Sequence, residues 1–219
     1  MTEHRLHDVE LSNLDKMLYP DDGVTKGDVI EYSRTVADAM LPHLAGRPLV
    51  LHRFPDGIGT QGFVQHDVGK HFPDWIQVAD LPRRGGEGEV RHVVCEDVPT
   101  LIYLANQAAL ELHIWPSTVD NPEHPDRLVI DIDPPDGTGV ATLRSVARRV
   151  RDLYEKVGLV PFVQATGGRG FHVVALHAET LGPQERPVVD DGQGRHRTER
   201  RQDSTRRVAV RTFRGQATW

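Results

Sequence analysis

Residues 128–134 read Leu-Val-Ile-Asp-Ile-Asp-Pro, so that two carboxylates stand two positions apart in an apolar run. Side chains alternate between the two faces of an extended strand, and the pattern therefore predicts a strand with Asp131 and Asp133 on one face. The apolar residues of the opposite face would contact a core, and they are Leu128, Ile130 and Ile132. Like charges held this close repel each other, and a divalent cation or a shared proton relieves the repulsion.

Two interpretations of this strand remain open at the level of the residues. Paired metal ions bound by such carboxylates can clamp the attacking and leaving oxygens of a phosphoryl transfer. Alternatively, both aspartates lie at a solvated strand end, where residues 134–137, Pro-Pro-Asp-Gly, begin a turn.

A glycine-rich segment, residues 166–172, separates the apolar segments 159–163 and 173–176. Its glycines allow backbone N–H groups to approach an anion closely, and Thr166, Arg169 and His172 carry donors that suit phosphate. Turns of this composition also join strands without binding a ligand. Because the segment follows the dicarboxylate strand and one amphipathic helix, we expect a metal site and a phosphate-binding loop to face each other across one cleft.

Size and composition limit the class of protein. A chain of 219 residues with 38% hydrophobic content can bury an ordinary core, and its net charge of −6 argues against nucleic-acid binding by bulk charge alone. The single cysteine, Cys95, excludes an internal disulfide and a cysteine zinc cluster, and we expect it to be a small buried residue. A polar start and no long apolar stretch predict a cytoplasmic protein without a membrane partner.

Hydrophobic periodicity predicts a first half rich in β-structure. A capping box at Thr25–Asp28 begins a helix over residues 26–41, which ends before Pro42 or within residues 43–46. Short strands are predicted at 47–53, 62–66 and 90–95.

Two further helices are predicted from apolar stripes. The first is capped by Asp97 and ends near His113, and its stripe comprises Leu101, Leu104, Ala105, Ala108, Ala109 and Leu112. The second spans about residues 140–157, with Arg148, Arg149 and Arg151 on its exposed side.

The hydrophobic pattern fails beyond about His177, and the tail has a different composition. From Pro183 onward it holds nine arginines and five acidic residues. We expect most of it to lack fixed structure, with a brief strand at 208–210. The sequence thus predicts a core over residues 1–176 and an arginine-rich tail over 177–219.

Several segments together resemble the polymerase domain of bacterial DNA ligase D, a member of the archaeo-eukaryotic primase superfamily used in end joining. The resemblance covers residues from about 10 to 175, and its segments are 15–20 (DKMLYP), 40–44 (MLPHL), 46–48 (GRP), 72–75 (FPDW), 107–113 (QAALELH) and the two motifs above. It implies an α/β (α+β) primase-polymerase-like catalytic core with a β-rich N-terminal part and flanking helices. It also implies template-dependent nucleotidyl transfer at DNA ends in non-homologous end joining.

The resemblance assigns expected roles to individual residues. Asp131 and Asp133 would be catalytic and hold Mn²⁺ or Mg²⁺ beside a nucleoside triphosphate. The residues expected to contact the nucleotide phosphates are His113, Thr166, Arg169 and His172, with Thr166 where relatives usually have serine. For His113, a cap or packing role at a helix end is the alternative interpretation.

Contacts to DNA are also implied by the resemblance. Lys16 and Lys26 would bind the recessed 5′-phosphate of a broken end, although ordinary surface lysine is the alternative. Arg53 and Phe63 would meet the template, by phosphate contact and base stacking. Val64 and His66 replace an aromatic residue and a lysine of many relatives, which predicts weaker stacking. Further expected partners are a DNA ligase and a DNA-end-binding protein.

The tail departs from the family pattern. Relatives carry a third catalytic aspartate on a late strand, and Arg211 stands at that place here. Asp190, Asp191 or Asp203 would be the substitutes. We therefore expect a C-terminus altered by truncation or a frameshift, and two alternative functions remain: an inactive homologue that binds DNA ends without synthesis, and a metal-dependent phosphodiester hydrolase.

Overall fold

The computed structural model describes residues 9–69, 71–83, 85–165 and 170–177. The chain forms two compact units, divided between His124 and Pro125. In chain order the elements are β1 Met17–Tyr19, β2 Val24–Thr25, α1 Lys26–Leu44, β3 Pro48–Arg53, β4 Phe63–Gln65, β5 Val78–Pro82, β6 Glu89–Val94, α2 Val98–Asn106, β7 Ala109–Ile114, β8 Arg127–Ile132, α3 Val140–Lys156, β9 Leu159–Ala165 and β10 Phe171–His177. This mixture of helices and sheets confirms the predicted α/β (α+β) class. Among these residues no helix is long and apolar enough to cross a bilayer.

The first unit is organised around β3. This strand pairs with β7 along one edge and with β6 and then β4 along the other, and β5 completes the sheet beside β6; every pair is antiparallel. The first four residues of β3, 48–51, are buried, as an inner strand requires. Cys95 is buried as predicted, and burial raises the pKa of its thiol.

Helix α1 begins with the predicted capping box. The Thr25 hydroxyl accepts from the Asp28 N–H at 3.2 Å, and the Asp28 carboxylate accepts from the Thr25 N–H at 2.8 Å. The helix continues past Pro42 and ends at Leu44, so the later of the two predicted ends is correct. Its Ile30 packs against Ile102 and Ala105 of α2.

The prediction of one helix from Asp97 to near His113 is wrong in its second half. Asp97 does cap α2, accepting from the Thr100 N–H at 2.8 Å, but the helix ends at Asn106. Ala108 has φ 53°, a left-handed conformation that turns the chain, and β7 follows at once. The backbone of β7 is paired with β3. His113 therefore lies within a sheet and not at a helix end.

The second unit is a three-stranded sheet covered on one face by α3. Strand β10 is the inner strand and runs antiparallel to both β8 and β9. The buried core cluster combines residues of α3 and β10, namely Ala147, Tyr154, Val173 and Ala175. Partly buried residues of β8, α3 and β9 pack against it, namely Ile130, Ile132, Val150 and Leu159. The predicted helix over 140–157 is thus confirmed.

Two predictions for this unit had other outcomes. Leu128 was expected to face the core but is 52% exposed, because the apolar cluster includes Ile130 and Ile132 of β8 and does not extend to it. The predicted tail over 177–219, with its strand at 208–210, falls almost entirely outside the described residues and stays a prediction.

Candidate active site and nucleic-acid contacts

Asp131 lies on β8 directly opposite His172 of β10. Directly paired residues of antiparallel strands project from the same face of the sheet, here the face opposite α3. The Oδ1 atom of Asp131 is 3.3 Å from Nε2 of His172, and the two side chains are 29% and 5% exposed. That Oδ1 atom is buried and makes no hydrogen bond to any described residue. A buried carboxylate oxygen in this state retains the capacity to bind a cation or a donor.

Asp133 directly follows the last residue of β8 and lies close to Gly170. A Cβ atom on Gly170 would lie 2.7 Å from the Ile132 carbonyl oxygen and 3.1 Å from Asp133 Oδ1. The close approach explains why glycine is needed at this position.

The strand register places Ala165 and Phe171, which lie on either side of residues 166–169, at the same end of the sheet as the two aspartates. Ile132 pairs with Phe171, and Phe171 pairs with Ala165. Residues 166–169 connect Ala165 to Gly170, but Thr166 and Arg169 lie outside the described residues, and their nucleotide contacts stay predictions. The structure thus brings together four residues of the two motifs: Asp131, Asp133, Gly170 and His172.

A divalent cation is compatible with this arrangement. Carboxylate oxygens are the ligands that Mg²⁺ and Mn²⁺ prefer. Asp131 Oδ1 is buried without a hydrogen bond in the described part of the chain, so an ion there would complete its bonding. Asp131 and Asp133 are therefore the candidate ligands. The substitutes considered for a third aspartate, Asp190, Asp191 and Asp203, lie beyond the described residues.

His113, in the first unit, belongs to a cluster with two residues that sequence reasoning did not select. His113 Nε2 is 3.4 Å from Oε2 of Glu111, and the same oxygen is 3.1 Å from His52 Nδ1. His52 lies on β3 opposite Glu111, and Glu111 and His113 stand two residues apart on β7. Once residues 109–114 are assigned to a strand, their alternation predicts this shared face. Because residues 109–113 were assigned to a helix, the sequence analysis did not place Glu111 and His113 on one face.

Lys16 and Lys26 are joined through their backbones, and their binding of a 5′-phosphate stays a prediction. The Lys26 N–H donates to the Lys16 carbonyl at 2.8 Å. Burial, and then the nearby Lys16 charge, lower the pKa of Lys26. Lys26 is buried, with Nζ 3.1 Å from the Asn106 carbonyl, whereas Lys16 is more accessible and pairs with Asp56 at 2.8 Å.

Arg53 and Phe63, the two residues predicted to meet the template, lie in contact with each other. The Arg53 guanidinium donates to the Gln107 carbonyl, the Gln107 side chain and the Gln65 side chain at 2.8–2.9 Å. It also lies over the Phe63 ring, with Cζ 5.3 Å from the centroid. Burial lowers the pKa of Arg53, and Tyr103 partly offsets that effect. Phe63 is 46% exposed, so part of its ring is accessible to solvent while the Arg53 guanidinium lies against it.

Comparison with known proteins identifies the family. A solved structure, the polymerase domain from Mycobacterium tuberculosis ligase D in complex with DNA, matches with a TM-score of 0.70 and 36% identity, over 77% of this chain and 61% of that chain. The family model for the LigD primase-polymerase domain matches residues 25–205, which extends past the region where the resemblance was expected to end. The chain belongs to the LigD primase-polymerase domain family.

Curated relatives agree with this assignment. The multifunctional non-homologous end joining DNA repair protein LigD of M. tuberculosis is 36% identical over 192 residues, which cover 84% of this chain and 24% of the relative. The bifunctional non-homologous end joining protein LigD of Bacillus subtilis is 30% identical over 165 residues, 75% of this chain and 26% of the relative. The chain therefore spans about a quarter of the length of these relatives.

Proposed function

We propose that this chain catalyses template-dependent nucleotidyl transfer at broken DNA ends in non-homologous end joining. The substrates are nucleoside triphosphates and DNA ends with a 5′-phosphate, and the cofactor is Mn²⁺ or Mg²⁺. Membership of the LigD primase-polymerase domain family supports the reaction class. The observation that carries the proposal is the buried Oδ1 of Asp131, which has no hydrogen bond among the described residues. Asp131 lies on the strand that leads into Asp133, and Asp133 is close to Gly170 at the end of the glycine-rich segment.

The second unit supplies the groups nearest the reaction. Asp131 and Asp133 hold the cation, and His172 orients Asp131 from the neighbouring strand. Gly170 keeps the end of the glycine-rich segment against Asp133. When bound, the cation supplies Lewis-acid stabilisation of the phosphoryl oxygens. Thr166 and Arg169 contact the triphosphate in this proposal. The nucleotide contact expected of His113, in the first unit, stays a prediction.

The first unit supplies the DNA contacts. Lys16 is the accessible member of the lysine pair and meets the 5′-phosphate, with the buried Lys26 adding positive potential beneath it. Phe63 stacks on a template base while Arg53 holds the ring in place. A DNA ligase and a DNA-end-binding protein are the partners proposed for the repair of the break, and a cytoplasmic, nucleoid-associated location belongs to the same proposal.

Primer extension tests the proposal. The full chain is incubated with Mn²⁺, labelled nucleotide and a gapped duplex that carries a 5′-phosphate, beside Asp131→Asn and the matched control Asp152→Asn. Asp152 is an exposed aspartate on α3 that pairs with Arg151. Asp131→Asn weakens a ligand of the cation that stabilises charge in the transition state. Extension is therefore expected to fall by roughly 100-fold or more, and the control should retain full activity.

Two results would contradict the proposal. Extension by the unaltered chain no greater than that of Asp131→Asn would remove the claim of synthesis. If DNA-end binding measured by fluorescence anisotropy then persisted, the inactive-homologue alternative would take its place. Cleavage of the same duplex without extension would favour the hydrolase alternative.

A further inference from the structure

The cluster of His52, Glu111 and His113 places three metal-ligating atoms on one face of the β3–β7 pair. These atoms are His52 Nδ1, a Glu111 carboxylate oxygen and a histidine nitrogen of His113, and all lie within 4.8 Å of one another. His52 and Glu111 occupy directly opposite positions in the register. Because two paired strands carry the three side chains, their spacing is set by the sheet and not by a loop.

The measured separations match those around a small tetrahedral ion. Zinc binds histidine nitrogen and carboxylate oxygen at about 2.0–2.2 Å, which places neighbouring ligand atoms roughly 3.3–3.5 Å apart in a tetrahedron. The Glu111 oxygen is 3.1 Å from His52 Nδ1 and 3.4 Å from His113 Nε2. Two of the three ligand separations therefore lie close to the tetrahedral range, and the third is at most 4.8 Å. A bound ion would replace the hydrogen bond between His52 and Glu111.

Burial also suits an ion that enters from solvent. The His52 and Glu111 side chains are each 27% exposed, and the His113 side chain is 10% exposed. His52 is further fixed by Phe54, whose ring centroid is 4.2 Å from its own. The site is shielded enough to strengthen charge interactions and open enough to admit an ion.

We propose that His52, Glu111 and His113 form a divalent-metal site for a borderline transition-metal ion of the Zn²⁺ class. Two imidazole nitrogens with one carboxylate favour Zn²⁺ over Mg²⁺, which prefers oxygen ligands. Three protein ligands leave a fourth position for water or an anionic oxygen, as in catalytic zinc sites. The site differs in ligands from the carboxylate pair at Asp131 and Asp133, and it takes an ion whether or not the chain synthesises DNA.

Calorimetric titration with Zn²⁺ tests this site in the untagged full chain that also carries Asp131→Asn and Asp133→Asn. Those two substitutions remove the carboxylate site from the measurement, so the result does not depend on the proposed polymerase activity. We expect one equivalent of Zn²⁺ to bind. Addition of Glu111→Gln or, separately, His52→Gln should weaken Zn²⁺ binding by at least about tenfold. Removal of a residue that only hydrogen-bonds to a ligand already costs about that much affinity, and removal of a ligand itself should cost more.

His43→Gln is the matched control, since it removes an exposed histidine in the last turn of α1 and should leave Zn²⁺ affinity unchanged. Co²⁺ gives a second readout, because a four-coordinate ion produces a visible absorption band that Glu111→Gln should abolish. Thermal unfolding of the metal-free proteins confirms that each variant folds. Absence of Zn²⁺ uptake, or equal uptake with and without Glu111→Gln and His52→Gln, would overturn the proposal and leave an imidazole–carboxylate hydrogen-bonded cluster.

Discussion

In the first unit, the basic side chains expected to meet DNA are already bonded to the protein, whereas in the second unit Asp131 keeps a buried oxygen without a hydrogen bond among the described residues. Arg53 and Lys26 therefore contribute to the folded state before any ligand binds. Asp131 imposes a cost that a bound cation would remove. The contrast teaches that basic side chains can serve the folded state and DNA binding together, whereas Asp131 combines an oxygen without a hydrogen bond with a position opposite His172 and next to the glycine-rich segment.

Gly170→Ala should have the largest effect and tests the acidic end of the sheet. The added Cβ would meet the Ile132 carbonyl at 2.7 Å and Asp133 Oδ1 at 3.1 Å, so the backbone or the carboxylate must move. A displacement of this kind is expected to lower extension by roughly 100-fold. It should also lower the free energy of unfolding by about 1–3 kcal/mol, measured by urea denaturation.

Gly59→Ala is the control for that substitution, because no described atom lies within 4 Å of a Cβ built there. Its activity and stability should match those of the unaltered chain. Equal activity of both glycine variants would show that the contact between Gly170 and Asp133 does not position the carboxylate.

Arg53→Lys should have the next largest effect. It tests a basic side chain of the first unit whose hydrogen bonds are already made within the protein. A lysine ammonium cannot reproduce the guanidinium fork that reaches Gln65 and both acceptors of Gln107. Because these acceptors lose a charged donor, the free energy of unfolding should fall by about 1–3 kcal/mol. Weaker binding of single-stranded template, measured by anisotropy, should accompany the loss.

Arg34→Lys provides the comparison, since Arg34 is an exposed residue of α1 that pairs with Glu31 at 3.6 Å. It should leave both measurements unchanged. If Arg53→Lys weakened DNA binding while stability stayed constant, Arg53 would belong with Asp131 as a group reserved for a ligand, and the contrast between the units would fail.

Asp28→Ala should have the smallest effect and compares a satisfied carboxylate with Asp131. Hydrogen bonds from the Thr25 backbone and then its hydroxyl hold the pKa of Asp28 below the ordinary value of 3.8. A carboxyl with a lowered folded-state pKa stabilises the protein above that ordinary value and loses the effect as the pH falls through the folded-state pKa. The difference in unfolding free energy between the unaltered chain and the variant should therefore shrink from about pH 7 to about pH 3.

Asp38→Ala, on the exposed part of the same helix, separates loss of the cap from loss of a charge. An Asp28→Ala difference that is constant with pH would show that the capping box does not depend on the charged carboxylate.

The sequence predicted those elements whose start or buried face is determined by residues close together in the chain. The Thr25–Asp28 capping box located the start of α1, and the apolar stripe of α3 located that helix almost to the residue. The break between α2 and β7 was missed because Ala105, Ala108, Ala109 and Leu112 satisfy helical spacing across it. The helix ends because Ala108 adopts a positive φ, a conformation that is uncommon for alanine and cannot be predicted from its identity.

The candidate site was predicted in part for the same reason. The alternation around Asp131 selected the carboxylates and the glycine-rich segment selected His172, and the register then showed that His172 lies directly opposite Asp131. His52 and Glu111 were missed because their proximity depends on pairing between β3 and β7, strands that are about sixty residues apart in the chain. Pairing of that range is a tertiary property and leaves little local trace.

Because β10 lies between β8 and β9, the folding of the second unit depends on the number of residues in β10 as well as on their identity. His172 faces Asp131 while Val173, the next residue, lies in the apolar cluster with α3. Insertion or deletion of one residue within β10 would exchange these two directions, so that an imidazole enters the core and the carboxylate loses its neighbour. Extra residues in the turn before α3 would leave the alternation intact, and natural length variation should therefore concentrate there.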